Sequence, residues 1–589
     1  MDKNFENMLS DRFGMFVHYG LYSAFGGRYR GECIKGLGEW IQRWAQIPIS
    51  EYVAFAKENF CPSEDFAKNL VASARAAGVR YIALTSKHHD GFCLFKSEAD
   101  PYNSYELFGR DICAELAEAC RAEGLGLGFY YSHCLDWHEK NAGGNFTLTH
   151  PDVKTESRNF WDFPDDNIDF SEYFRRKCLP QVRELLTNYG DLKCIWFDYP
   201  HDITREESLE LRKLVKQLQP NCLINSRIGH GFCDYYSLGD NGLPTAPARV
   251  PTECLITLND TWAYKSDDLN YKSPEGVTEI LCRTLSTGAS LLMNVGPMSD
   301  GSLTSETENI LAYLGEWTSR NAEAIYGGIK PSPFKCTFPW GYAASGERSI
   351  YLYLKEGIAN IKLSGIESTP TSVTLLGGGA LEYSFDGRIL AVNLGETEIK
   401  NPVLKVDFEN APKISDSLTV DSARGTLLAA YASLGSLTSP ESVSPLLHEY
   451  DVELGDFGKH GTALSRVDTV HHWESADHIL VWDVYFAECG EYEAEIVSAE
   501  PGFETQCSRP DADTPCTLSV GNMSNSALSG IKCTYNVSAT SVNLRHVRDG
   551  GKFKIEKVGK YRVTLAKDND TLGLGVIEVR FKKTEGGKI

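Results

Sequence analysis

Polar, ring-bearing and charged side chains recur in this chain at the ends of short apolar runs. FGMFVHYG carries His18, YIALTSKHHDGF carries His88, His89 and Asp90, and LGFYYSH carries Tyr130, Tyr131 and His133. CIWFD closes on Trp196 and Asp198, CLINSR closes on Arg227, and a stretch from Glu253 leads to Trp262 and Tyr264. An imidazole offers both a donor and an acceptor, and a carboxylate serves as nucleophile or acid/base. Indole and phenol rings supply apolar walls, so the set suits a sugar better than a bland core would. A single strand-end histidine is ordinarily a hydrogen-bonded structural residue. The adjacent pair His88-His89 is harder to dismiss, although alternation lets only one of the two point directly into a site. A metal held by His18, His88 and His89 is the rival reading, yet no H-E-x-x-H or similar spacing accompanies them. Asp198 could cap the helix that follows, but Thr204 is the better cap, which leaves Asp198 for chemistry.

These residues must be held by elements whose carboxyl ends converge. Seven short apolar runs, 13–19, 81–86, 127–132, 194–198, 222–226, 254–258 and 291–295, lack strict alternation. That is the pattern of parallel strands buried on both faces. Helical stretches lie between them. Residues 111–123 place Ile112, Leu116 and Cys120 four apart, and 171–189 put Leu179, Val182, Leu186 and Tyr189 on one stripe. Ser273-Pro274-Glu275 opens another with a cap, a first-turn proline and an early acid. Repeated β-then-α units predict a TIM-like (β/α)-barrel over residues 1–330, with its chemistry at the carboxyl ends of the strands. A doubly wound open sheet is the alternative, but no G-x-G-x-x-G or phosphate loop follows any run.

Beyond Gly328 the texture changes to short alternating runs such as SIYLYLK and ILAVNLG between glycine-bearing turns. Residues 331–435 are expected to form an antiparallel β-sandwich domain. A Ser/Pro-containing linker over 434–445 then leads to an accessory β-sandwich-like domain at 436–589. The stretch His471-His472-Trp473 in that last segment reads as packing.

Composition bounds the rest. The chain has 589 residues, and 80 Asp+Glu against 58 Lys+Arg leave a net charge of −22. That field repels phosphate backbones and anionic lipid, so neither nucleic acid nor a membrane is an expected partner. The opening MDKNFENMLSDRFGMF lacks an apolar leader core, and the 17 cysteines include no C-x-x-C pair. A cytoplasmic protein with reduced core thiols is the expectation.

The strings RFGMFVHYG, GEW, KHHDGF, FYYS, WFD, NSRIG, PTECLITLNDTWAY and LLMNVGPMSDG together resemble the α-L-fucosidases of glycoside hydrolase family 29. They occur in family order over roughly residues 10–328, whereas residues past 435 lie outside the resemblance. The resemblance implies a retaining exo-α-L-fucosidase that releases terminal α-L-fucose through a covalent fucosyl-enzyme intermediate, with no cofactor and no metal. Its partner would be a fucosylated oligosaccharide or glycoconjugate, and a homo-oligomer stays open. The nucleophile would be Asp198. Fucose-binding groups would be His18, Glu39, Trp40, His88, His89, Tyr131, Trp196, Arg227 and Trp262; Glu39 and Trp40 enter through the resemblance alone. Retention needs a second carboxyl group at ~5–5.5 Å. The matching string SLGDNGLP supplies Asp240, one methylene shorter than the family's usual Glu, with Glu253 as first rival and Glu275 as second. A helix N-terminus would favour the ionised form of Glu275, which is wrong for a proton donor. A catalytically weak fucose- or carbohydrate-binding protein, or another retaining glycosidase on the same barrel, is the alternative.

Overall fold

The computed structural model describes residues 10–147, 154–165, 167–395, 397–439, 442–451, 461–471, 473, 475–499, 515–521, 523–527, 531–536, 544–568 and 575–584. By packing, the chain forms two compact units. The first holds residues 1–237, 250–277 and 290–319; the second holds 238–249, 278–289 and 320–589.

The first unit is built on eight parallel strands, β1 (Phe13–Val17), β2 (Tyr81–Lys87), β3 (Gly126–Ser132), β4 (Cys194–Asp198), β5 (Leu223–Ile224), β6 (Tyr236–Ser237), β7 (Thr252–Ile256) and β8 (Ser290–Val295). Their order is β6-β7-β8-β1-β2-β3-β4-β5, and a parallel bridge between Asn225 and Tyr235 joins the two remaining edges. The expected barrel is therefore present. Seven strands lie where apolar runs mark them, while β6 lies in the stretch CDYYSLGD, which is not an apolar run. The interior is packed with side chains rather than hollow: Phe16, Tyr81, Tyr130, Trp196, Leu255 and Leu292 form one buried cluster. Local signals read from sequence recur as contacts. Thr204 and Glu207 form a reciprocal capping box on the helix Arg205–Leu218, and Asp111 caps Ile112–Glu123 through Ala114 N–H at 2.9 Å.

In the second unit, residues 334–408 enclose one apolar core between a five-stranded and a three-stranded antiparallel sheet. A second core runs from Val420 to Phe581 around Trp473 and Trp482. The expected boundary at 435 is corrected. Thr419–Val420 and Ser433–Ser436 pair with the strand His478–Phe486, and Thr426–Leu428 pairs with Val576–Lys583, so the last module already includes Thr419. The expected linker at 434–445 is likewise part of a sheet, because Ser433 and Leu434 pair with Pro445 and Ser444. Trp473 is a core residue whose indole N–H donates to His478 O at 2.9 Å; His472 lies outside the described residues.

The fifteen cysteines whose side chains are described are free thiols. No helix among the described residues is long and apolar enough to cross a membrane.

Candidate active site

β4 is an apolar run that ends in Asp198, so the fold delivers this carboxylate to the carboxyl end of the barrel. One oxygen, Oδ1, accepts from Arg227 Nη1 at 3.0 Å; the other, Oδ2, accepts from the Tyr130 hydroxyl at 3.0 Å. His89 Nε2 stands 3.9 Å from Oδ2. Burial alone would raise the pKa of Asp198, but Arg227 first, then His89 and the two hydrogen bonds, hold it below the usual range. The result is a carboxylate kept ionised in a largely apolar surrounding, the electrostatic state a nucleophile requires. Arg227 is fixed in turn, with its guanidinium 4.9 Å from the centroid of Trp196.

The three histidines meet around this carboxylate. His18, just past β1, places Nδ1 2.6 Å from Asn294 Oδ1, while Asn294 Nδ2 donates to Trp262 O at 2.6 Å. The amide is thereby oriented with its oxygen toward the imidazole, so Nδ1 carries the proton and Nε2 is left as an acceptor. Burial pulls the His18 pKa down to about 4 and that of His89 to about 3, so both rings are neutral at ordinary pH. His89 Nδ1 lies 2.8 Å from Ser132 Oγ, which itself donates to Leu135 O. This assigns the Nδ1 proton of His89 and turns a lone pair on Nε2 toward the Asp198 side. His88 stacks on Tyr130 with ring centroids 5.3 Å apart, and its buried Nδ1 has no hydrogen-bond partner among the described residues.

Both members of the His88-His89 pair thus join the cluster, against the expectation that only one could. Strand alternation does not apply to them. β2 ends at Lys87, and the pair begins a turn closed by Gly91 N–H to His88 O at 3.1 Å. Gly91 has φ +75°, and a Cβ there would fall 2.1 Å from Asp136 Oδ1, so the glycine of KHHDGF is required for the turn. Behind it Lys87 points away from the histidines, to Asp136 at 2.9 Å and the Tyr173 hydroxyl at 2.8 Å.

The same parity corrects one expected site residue. Tyr131 donates to Gln181 Oε1 at 2.8 Å and lies under Lys87, on the outer face of β3. Its neighbour Tyr130 faces the barrel and reaches Asp198. Tyr130 stood in the sequence only as one of several strand-end groups and not among the expected sugar-binding residues, and Asn294 was not named at all, its one signal being an amide within the buried run LLMNV.

The loop residues Glu39 and Trp40 are drawn in. Glu39 Oε2 accepts from Ala263 N at 3.0 Å and Thr261 Oγ1 at 3.3 Å, which ties the GEW turn to the segment carrying Trp262. The Trp40 ring lies 5.1 Å from His89 and 6.0 Å from Tyr199, and Trp262 lies 5.2 Å from His18, giving two aromatic walls. Trp196 is deeper, donating its indole N–H to Glu253 Oε2 at 2.8 Å. Glu253 also accepts from Tyr81 at 2.8 Å and sits near the amino end of β7, at the opposite end of its strand from Asp198 on β4. Its place in the barrel floor removes the ground for treating it as the second catalytic carboxyl. Among the described residues, no three His, Cys, Asp or Glu side chains are grouped to hold a metal ion. Asp240 belongs to the second unit, in a turn between Gly239 and Gly242 closed by a 2.8 Å hydrogen bond.

A closed parallel barrel with a carboxylate, neutral imidazoles and aromatic walls at its strand ends is the architecture of a carbohydrate-active hydrolase. Residues 2–323 match the family model described as Alpha-L-fucosidase, more than half of the chain, and the chain belongs to this family and is an α-L-fucosidase, a glycoside hydrolase. It is similar to the tissue α-L-fucosidase of Rattus norvegicus, 27% identical over 416 residues that cover 64% of this chain and 82% of the relative. Over nearly its whole length it resembles the crystal structure of the α-L-fucosidase of Vibrio sp. strain EJY3. The TM-score is 0.80 at 25% identity, covering 99% of this chain and 98% of that one. It is also similar to an α-L-fucosidase of Lactobacillus casei solved with the α-L-fucose product, at 39% identity and TM-score 0.51, covering 55% of this chain and 100% of that one.

Proposed function

We propose that the chain is a retaining exo-α-L-fucosidase that removes terminal α-L-fucose from fucosylated oligosaccharides, with Asp198 as nucleophile and Asp240 as acid/base. The observation that carries this reading is Asp198 itself, held ionised by Arg227 and Tyr130 beside His89. Asp198 attacks the anomeric carbon as positive charge develops on the ring, forming a fucosyl ester, while Asp240 gives a proton to the departing oxygen. Water, deprotonated by Asp240, then cleaves the ester with a second inversion, so configuration is retained. Arg227 and Tyr130 release their hold on the carboxylate as its charge moves into the new bond.

Neutral His18, His88 and His89 match the donor and acceptor pattern of sugar hydroxyls, with Nε2 of His18 and of His89 as acceptors. Glu39 adds a carboxylate, and Trp40 and Trp262 flank the ring and its C5 methyl, whose burial gives ~0.8 kcal/mol of preference over a sugar lacking it. Tyr130 takes the place first expected of Tyr131. The Lactobacillus casei relative, as a mutant, has been solved with Fuca(1,6)GlcNAc, which supports a fucosylated disaccharide as the substrate class here. The test is D198G on an aryl α-L-fucoside. Turnover is expected to fall by at least ~10³-fold, with azide restoring part of it as β-fucosyl azide. Wild-type-like turnover in D198G would overturn the assignment.

A further inference from the structure

The loop 238–249 follows β6 and carries Asp240, and the structure packs it as part of the second unit, together with residues 320–589. The turn itself puts Asp240 and Asn241 between Gly239 and Gly242, with Asn241 at φ +59°, a left-handed position that asparagine tolerates. Fixing the chain that leaves so short a turn restricts the conformations of the turn itself.

That fixing comes from two side chains, Arg283 and Asp468. Arg283 donates from Nε to Pro244 O at 3.1 Å and from Nη2 to Leu243 O at 2.9 Å. Two residues on, Asp468 Oδ2 accepts from the backbone N–H groups of Thr245 and Ala246, each at 3.0 Å. Asp468 is 6% exposed, so little water is available to replace it. Its other oxygen lies 3.2 Å from His448 Nε2, and His448 Nδ1 accepts from Tyr450 N at 3.3 Å. That second contact makes Nε2 the donor and orients the carboxylate. Ala246 packs with Leu428, Ala430 and Tyr431, and a Cβ added at Gly242 would meet Val467 at 3.3 Å. Both Asp468 and His448 come from the last β-module, outside the residues 2–323 that the family model matches.

We propose that Asp468 is a positioning residue for the acid/base turn, so that the last β-module sets the proton-transfer step. This rests on Asp240 being the acid/base. A carboxylate that clamps two consecutive N–H groups fixes the chain five and six residues past Asp240, and His448 holds the clamp in its working rotamer. A fucoside with a poor leaving group needs the proton from Asp240, whereas an activated aryl fucoside departs without it.

The test compares D468A, D240A and D477N in the full-length enzyme, on a fucosyl disaccharide and on an activated nitrophenyl α-L-fucoside. Asp477 is a turn aspartate of the same module, bonded to Ser436 and Thr438, and D477N controls for loosening of the module. D468A is expected to lose ~10²-fold in kcat/KM on the disaccharide and less than about 5-fold on the activated substrate, with D477N unchanged on both. If D468A does not accumulate folded, D468N, which keeps one acceptor oxygen, is expected to show the same selectivity to a smaller degree. Equal losses on both substrates, or none, while D240A remains selective would overturn the positioning role. Equal damage to both substrates in D240A would instead overturn Asp240 as the acid/base.

Discussion

At the scale of single residues, the site is an arrangement for keeping one carboxylate ionised and three imidazoles neutral. Arg227 opposes the burial of Asp198, so its removal lets burial act. In R227M the pKa of Asp198 should rise, and the acidic limb of kcat/KM should move to higher pH, because Asp198, as the proposed nucleophile, must be deprotonated to attack. A charge-assisted hydrogen bond worth roughly 1.5–3 kcal/mol sets the accompanying loss at about 10- to 100-fold. The pH profile of R227M against wild type measures both. The tyrosine pair gives a second outcome at this scale. Y130F should cost about 10-fold in kcat, since it deletes a donor to Asp198. Y131F deletes only a bond to Gln181 in the outer layer and should lower Tm while sparing kcat. A larger kcat loss in Y131F than in Y130F would reverse the assigned parity. Which tyrosine faces inward was not legible in FYYS, since alternation gives two faces and no sign.

At the scale of elements, the barrel was readable because parallel strands buried on both faces are continuous apolar runs, and Asp198 or His18 stands out where such a run stops. The same logic failed at β6, which sits in no apolar run, and at the His88-His89 turn, where strand alternation was carried one residue too far. Glu253 teaches the complementary lesson: an acid within a barrel strand is catalytic or structural according to which end of the strand it occupies. Tyr81 and Trp196 both donate to Glu253, and burial pushes its pKa from 4.5 up to about 7. Between those two values the folded state keeps a proton that the unfolded chain releases. Stability therefore falls as pH rises from 4.5 to about 7 and levels off above, by a total on the order of 3 kcal/mol. E253Q cannot ionise and offers one acceptor oxygen to two donors. It should be less stable than wild type at pH 5 by about 1–3 kcal/mol, with this group's contribution to the slope removed. Denaturant unfolding from pH 5 to pH 7 checks both statements, and an unchanged slope would mean Glu253 is not titrating there.

At the scale of the whole molecule, a net charge of −22 is no handicap for an enzyme whose substrate is a neutral sugar. The chain divides its labour unevenly. Asp198, the imidazoles and the aromatic rings around them all come from the barrel, where the ordered motifs lie, whereas the modules that follow it in sequence left no motif to read. Their contribution rests on buried hydrogen bonds such as those of Asp468, which join segments more than two hundred residues apart and have no local pattern. The central claim, a covalent fucosyl ester on Asp198, is tested most directly by mass. Incubation with a 2-deoxy-2-fluoro-α-L-fucosyl donor bearing an activated leaving group should inactivate the enzyme and add one fluorofucosyl group per chain. That mass should reside on the proteolytic peptide containing Asp198. Turnover of the donor without an adduct, or an adduct on any other residue, would contradict it.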